Sequence, residues 1–238
     1  LYLLLVMMLG ASHLVHAQTL LAGWDFQTTA NGGTAGAATP NTPTTFVANV
    51  GNGNLYLNGT NGASTWTQAG ELDVFAGSTL NVGAGMANTT TGASSLALVN
   101  SSANGKSIVF KINMSGYINL NVSYATRNTS TGFNTQTWEY STDATNWSPI
   151  SVVTGLTTSF AVKTLSTITG LDNSANAYVR LTVTGATNTT GNNRIDNVQF
   201  NATASSSQPV VTSNSATATV GTPFSYFISA TGSPTLYN

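Results

Sequence analysis

The stretch of this chain whose residue types most resemble a reactive site is "EYSTDATNW", Glu139 to Trp147, in a sequence holding only seven Asp and Glu in total. It places two carboxylates beside aromatic rings, which poses a choice between acid–base chemistry on a sugar and a β-hairpin with its turn. A retaining glycosidase needs two carboxyl groups about 5–5.5 Å apart, one of them with a raised pKa. In "TQTWEYS" Trp138 and Tyr140 share one strand face and Glu139 takes the other, so Glu139 is the only strand-borne carboxylate nearby. Ser141 and Asp143 in "STDATN" are turn formers, whose side chains accept hydrogen bonds from backbone N–H groups a few residues on. We therefore read the stretch as a structural hairpin.

Two other carboxylates stand in apolar surroundings. In "RIDNVQF" Val198 and Phe200 are spaced by two and should face the core, which puts Asp196 and Arg194 on the same side. A core-facing carboxylate must be neutralised or well hydrogen-bonded. Arg194, backbone amides of the first strand, or an oxygen-seeking cation such as Ca²⁺ would each serve. Asp25 in "GWDF" alternates with Trp24 and Phe26 and points away from them. Glu71 and Asp73 in "GELDVF" share a face and read as a solvated loop edge.

The carbohydrate-binding candidates are Trp66, Arg127 and Phe133. Trp66 sits among polar neighbours in "GASTWTQ", so its ring is a candidate platform for a pyranose. Arg127 in "YATRNTSTGF", with Phe133 nearby, offers a rigid fork of donors. The competing structural readings are a lid on the core for Trp66 and a loop clamp for Arg127.

Composition excludes more than it assigns. Only 5% of residues are charged and the net charge is −1, against roughly 25% charged in an average soluble domain. A nucleic-acid surface would need clustered basic residues interleaved with aromatics, and the six Lys and Arg are scattered. The Gly-rich "GNGN" and "GAGM" lack the strand–Gly–helix context of a phosphate loop. Cys is absent and the two histidines are His13 and His16. Both fall in an N-terminal apolar run, "LYLLLVMMLG", followed by "ASHLVHA", which reads as a signal peptide cleaved between Ala17 and Gln18. The run is shorter than the roughly 20 residues a spanning helix needs, so no membrane insertion is expected after cleavage. The cleaved chain would then have no nucleophilic triad built on His, no thiol chemistry, and no His- or Cys-ligated metal.

The elements that must position these residues are strands. "YINLNVSY", "SIVFKIN" and "YVRLTVT" alternate with period two, and turn clusters such as "NGTNG", "SANGK" and "TTGNN" separate them. About ten short strands without intervening helices predict an all-β, antiparallel sandwich. The expected organisation is a signal peptide at 1–17, a β-sandwich at 18–200, a small polar linker at 201–208, and the N-terminal part of a second β-sandwich at 209–238. Sequence preceding the apolar run and completing the second sandwich beyond Asn238 is expected.

The entry strand "LLAGWDF", the closing "NRIDNVQF" and the hairpin "WEYSTDATNW" make the first domain resemble the galactose-binding-type jelly rolls of secreted bacterial carbohydrate-binding modules. The hairpin is also similar to the Asp-box turn, Ser-x-Asp then Trp. "PFSY", with Pro209, Gly221, Ile228 and Tyr237, resembles the start of Ig-like, cadherin-like modules of bacterial surface proteins. The resemblance implies a non-catalytic, secreted or cell-surface module that binds an extracellular polysaccharide or cell-surface glycan and tethers downstream domains of the same chain. It also implies a structural Ca²⁺ between the first and last strands, at Asp25 and Asp196. A structural or adhesive spacer without a small ligand is the alternative.

Overall fold

The computed structural model describes residues 17–27, 45–87, 94–205 and 220–223. The chain divides into two compact units, Leu1–Ala204 and Ser205–Asn238. The signal peptide expected at 1–17 lies outside the described residues apart from Ala17, as does the Ig-like segment at 209–238 apart from a turn at 220–223.

The first unit is an antiparallel β-sandwich. Its strands are β1 (Gln18–Trp24), β2 (Thr45–Val47), β3 (Val50–Gly51), β4 (Gly53–Tyr56), β5 (Leu72–Phe75), β6 (Ser95–Val99), β7 (Ser107–Ile112), β8 (Tyr117–Asn128), β9 (Thr135–Ser141), β10 (Ser148–Val153), β11 (Ala161–Thr164), β12 (Ala177–Thr184) and β13 (Asn192–Ala204). A one-turn helix, α1 (Gln68–Glu71), precedes β5. One sheet has seven strands, running β11-β8-β13-β1-β3 with β6 and β5 added beside β13; the other has six, β10-β9-β12-β7-β4-β2. Most connections carry the chain from one sheet to the other, and the first and last strands pair along their length from Gln18–Thr203 to Trp24–Val198. β13 continues through Asn201–Ala204, four residues into the stretch read as linker.

Alternation decides which side chains fill the interior. Val179, Leu181 and Val183 of β12 and Ile108, Phe110 and Ile112 of β7 are buried, while Arg180 points outward and stays half-exposed. Trp24 meets Phe110 and Phe200 edge-on, at 5.0 and 5.7 Å, and Tyr124 meets Trp138 at 5.0 Å. Such pairs each add about 0.5–1.5 kcal/mol beyond the area they bury. Polar groups within this core satisfy one another: the Trp138 indole donates to the Tyr124 hydroxyl (2.9 Å), which donates to Gln136 Oε1 (2.6 Å), whose amide donates to Asn193 Oδ1 (2.6 Å). Burial pushes the Tyr124 phenol well above its ordinary value.

"GELDVF" departs from its reading as a solvated loop edge. It supplies the end of α1 and strand β5, and Glu71 is buried against Lys106 at 2.6 Å. Burial works against ionisation of Glu71, but bonds from Lys106 and Thr67 prevail and hold its pKa below the usual carboxylate value.

Candidate functional site

The structure removes two of the three carbohydrate-binding candidates. Trp66 is 0% exposed, its ring lies in the core, and its indole N–H donates to the Ser107 carbonyl at 2.8 Å. Phe133 is likewise 0% exposed in the core. Neither can offer a ring face to a sugar: "GASTWTQ" is polar in sequence, but Trp66 turns inward between β4 and β7. Arg127 is half-buried on β8.

The opening hairpin is a tied turn. The Ser141 hydroxyl donates to Asp143 Oδ1 (2.8 Å) and accepts from the Asp143 and Ala144 N–H groups; Asp143 Oδ1 accepts from Thr145 and Asn146 N–H, each at 2.8 Å. These bonds, that from the Asn146 side chain foremost, hold the Asp143 carboxyl well below the usual range. Glu139 is bound by Arg180 (Nε 3.0 Å, NH2 2.7 Å), whose guanidinium lies 4.1 Å over the Trp147 ring. The Trp147 ring also packs on Gly62, where a Cβ would meet it.

Asp25 and Asp196 both hold segment 76–87, and Asp196 reaches it by a route the alternation does not give. A bulge between Asp196 and Gln199, with Asn197 at φ 48, resets the parity of β13. Ile195, Val198 and Phe200 face the core; Asp196 does not, contrary to the expectation from spacing. It is nonetheless 0% exposed, because the segment 76–87 lies across the bulge. Ser78 N–H donates to Asp196 Oδ2 (2.6 Å), and Asn197 Nδ2 donates to the Ser78 and Leu80 carbonyls, both at 2.8 Å. Gln199 Nε2 donates to the Asn81 carbonyl (2.7 Å). At the far end of the segment Ala87 N–H donates to Asp25 Oδ2 (2.8 Å), which Asn49 Nδ2 also reaches at 2.7 Å. Asp25 points away from Trp24 and Phe26 as alternation requires, and is 3% exposed. Two buried carboxylates thus hold the two ends of one loop.

Burial raises the Asp196 carboxyl to about 8; bonds from Ser78 and Asn197 pull it down, and the Asp25 charge pushes it further up. Among the described residues no basic side chain forms an ion pair with Asp196, the two ion pairs being Glu71–Lys106 and Glu139–Arg180. Ca²⁺ takes six to eight oxygens. Among the described residues no three His, Cys, Asp or Glu cluster, so a cation here would rest on the two carboxylates and on neutral oxygens. Asn197 Oδ1 is one, buried with no hydrogen-bond partner. Both carboxylates also accept N–H bonds, Asp196 from Ser78 and Asn197 and Asp25 from Ala87 and Asn49, so a cation would share their oxygens with these donors.

A cleft that the sequence did not signal opens beside β9, with a volume of about 220 Å³. Its lining is Tyr140, Pro149 and Ile150 on one side and the segment 166–170 on the other, and it contains no charged residue. The segment is pinned to the opposite sheet by a two-way bridge, Ile168 N–H to the Leu120 carbonyl (2.8 Å) and the reverse (3.2 Å). Tyr140 is seated against Gly170, where a Cβ would collide with the phenol ring and hydroxyl. Ser166, Thr167 and Thr169, all hydroxyl-bearing, belong to the same wall.

No family model and no curated protein matches the chain. Solved structures do. A family 36 carbohydrate-binding module in complex with calcium and xylotriose is 16% identical and covers 54% of this chain and 93% of its own (TM-score 0.33). The C-terminal family 22 carbohydrate-binding module from Clostridium thermocellum is 15% identical, covering 57% and 82% (TM-score 0.38). The K2 cleaved adhesin domain of Lys-gingipain is 14% identical, covering 77% and 99% (TM-score 0.39). These neighbours include the class of module that the sequence resembles.

Proposed function

We propose that the β-sandwich is a non-catalytic glycan-binding module, exported by the N-terminal signal, that tethers the rest of its chain to an extracellular polysaccharide. The observation that carries this reading is the Tyr140 cleft. It combines a fixed aromatic ring, short apolar walls and neutral hydroxyls, the mixture that suits an uncharged polyhydroxylated ring, because a sugar offers both C–H faces and O–H groups. Its volume is below the roughly 300–1,000 Å³ typical of drug-sized ligands, which suits a short stretch of a glycan rather than a long one. All seven carboxylates of the sequence fall among the described residues, and none lines this cleft. Six have structural duties: Glu71 and Glu139 pair with cations, Asp143 ties its turn, Asp172 accepts the Asn119 N–H (2.7 Å), and Asp25 and Asp196 hold the loop.

The same reading includes a structural Ca²⁺ held by Asp25 and Asp196 with help from Asn197 Oδ1. When bound, it would neutralise two buried carboxylates. The protein groups fix segment 76–87 in either case, since its backbone bonds do not depend on the ion.

The direct test is retention of the chain on insoluble polysaccharides and on an array of soluble oligosaccharides, with and without Ca²⁺, with release of reducing ends measured in parallel. Saturable retention without release is the expected result. Folded protein retained on nothing would leave the spacer reading, and release of sugar would restore an enzyme.

A further inference from the structure

The outer face of the seven-stranded sheet carries an arrangement that the Tyr140 cleft does not use. Arg127 of β8 and Arg194 of β13 stand directly opposite each other across the strand pair. The chain has only six basic residues, and two of them are set side by side. Like charges directly opposed across strands are destabilising, so the pairing works against the fold unless something answers it.

Among the described residues nothing answers it fully. Nε of Arg127 is buried and has no hydrogen-bond acceptor, a state that costs the desolvation of that group. Arg127 belongs to neither of the described ion pairs. Arg194 is held in place over the Phe75 ring at 4.5 Å, with long contacts of 3.4 Å to Asn192 Oδ1 and the Ala76 carbonyl. Asp73 lies two strands away from Arg194, with Ala97 between them. Burial and then the charge on Arg127 lower the pKa of Arg194, and Asp73 acts in the opposite sense. The site is therefore a pair of half-buried guanidiniums set side by side, with one counter-charge two strands away. Planar guanidinium forks match planar or tetrahedral oxyanions through paired, charge-assisted hydrogen bonds.

We propose that Arg127 and Arg194 together hold the carboxylate or sulfate group of an acidic polysaccharide, at a second site on the sheet face distinct from the Tyr140 cleft. A single oxyanion set among neutral polar groups, with Asn192 and Thr129 as neighbours, suits a polymer of hydroxyl-bearing rings that carries scattered charge. A nucleic acid would demand several phosphate contacts along a basic track, which a chain of net charge −1 does not provide. The proposal goes beyond the reading of the module as a binder of neutral glycan and stands on different residues.

The test is affinity electrophoresis of the full chain through gels holding polygalacturonate, carrageenan, xylan or galactan, for wild type, Arg127→Gln, Arg194→Gln and Tyr140→Ala. Wild type should be retarded by polygalacturonate, by carrageenan, or by both; which of them decides between carboxylate and sulfate. Each Arg variant should weaken that retardation about tenfold, the effect of losing a hydrogen bond to a charged group, while migration in the neutral gels stays as for wild type. Tyr140→Ala should leave the acidic gels unaffected. The Arg variants relieve a repulsion, so urea unfolding should show them at least as stable as wild type, which separates lost binding from lost fold. Wild type passing both acidic gels unretarded, or Arg variants retarded as strongly as wild type, would overturn the proposal. Retardation in the neutral gels bears only on the Tyr140 cleft, so either idea can fail without the other.

Discussion

Asp196 makes the stability of this domain depend on pH in an unusual direction. Burial lifts its carboxyl from 3.8 to about 8 in the folded state. Between those values the folded protein keeps a proton that the unfolded chain has released. The native state thus binds more protons, and unfolding free energy must fall as pH rises. At about 1.4 kcal/mol per pH unit, the displacement represents a loss on the order of 5 kcal/mol between pH 4 and 8. Competing titrations lie elsewhere. Glu71 and Asp143 have lowered pKa values; their stabilisation is present above the ordinary carboxylate pKa and is lost only in acid. Tyr124 is raised far into the alkaline range. His13 and His16 belong to the N-terminal segment. Urea unfolding in chelator at about pH 5, 6, 7 and 8 should therefore give a midpoint that declines steadily. Asp196→Asn should flatten the decline and, at pH 8, be more stable than wild type. Saturating Ca²⁺ should flatten it as well, by holding the carboxylate ionised. A midpoint that is constant or rises over this window in chelator, or a variant with the wild-type slope, would show that Asp196 does not hold its proton in the folded state.

Three further outcomes follow from the packing. Trp66→Ala removes a fully buried ring and its bond to Ser107, so it should cost about 3–5 kcal/mol in urea unfolding while leaving glycan affinity per folded molecule unchanged. Gly170→Ala forces a methyl against Tyr140 and should both destabilise by about 1–3 kcal/mol and weaken retention on neutral glycan; Ala at the open Gly155 turn should affect stability through its positive φ but not retention. Glu139→Gln breaks a half-exposed ion pair with Arg180, should cost about 0.5–1 kcal/mol, and should leave no trace in any binding or sugar-release assay.

The strands were legible because each of the best ones alternates with its interior face apolar: Leu120, Val122 and Tyr124, or Val179, Leu181 and Val183, are buried where period two puts them. The Ser141–Asp143 turn was legible because its chemistry is local. What escaped were features made by contacts distant in sequence. A one-residue change of parity at Asn197 moved Asp196 off the core face, and only the fold shows that segment 76–87 then covers it. Polar neighbours of Trp66 suggested exposure, yet the strand ends around Ser107 roof it over. The Tyr140 cleft needs residues 166–170 brought against β9 by their bridge to Leu120, a pairing across some fifty positions with no local signature except Gly170. The opposed arginines are a register effect, since nothing at Arg127 announces that Arg194 will lie beside it.

Glycan binding at a neutral cleft beside β9 can be read residue by residue, by amide chemical-shift mapping of the labelled full chain during titration with xylan and galactan oligosaccharides. Saturable shifts centred on Tyr140, Ile150 and the segment 166–170, abolished in Tyr140→Ala, are the expected result. Shifts centred elsewhere on the domain, or none with any oligosaccharide, would contradict it.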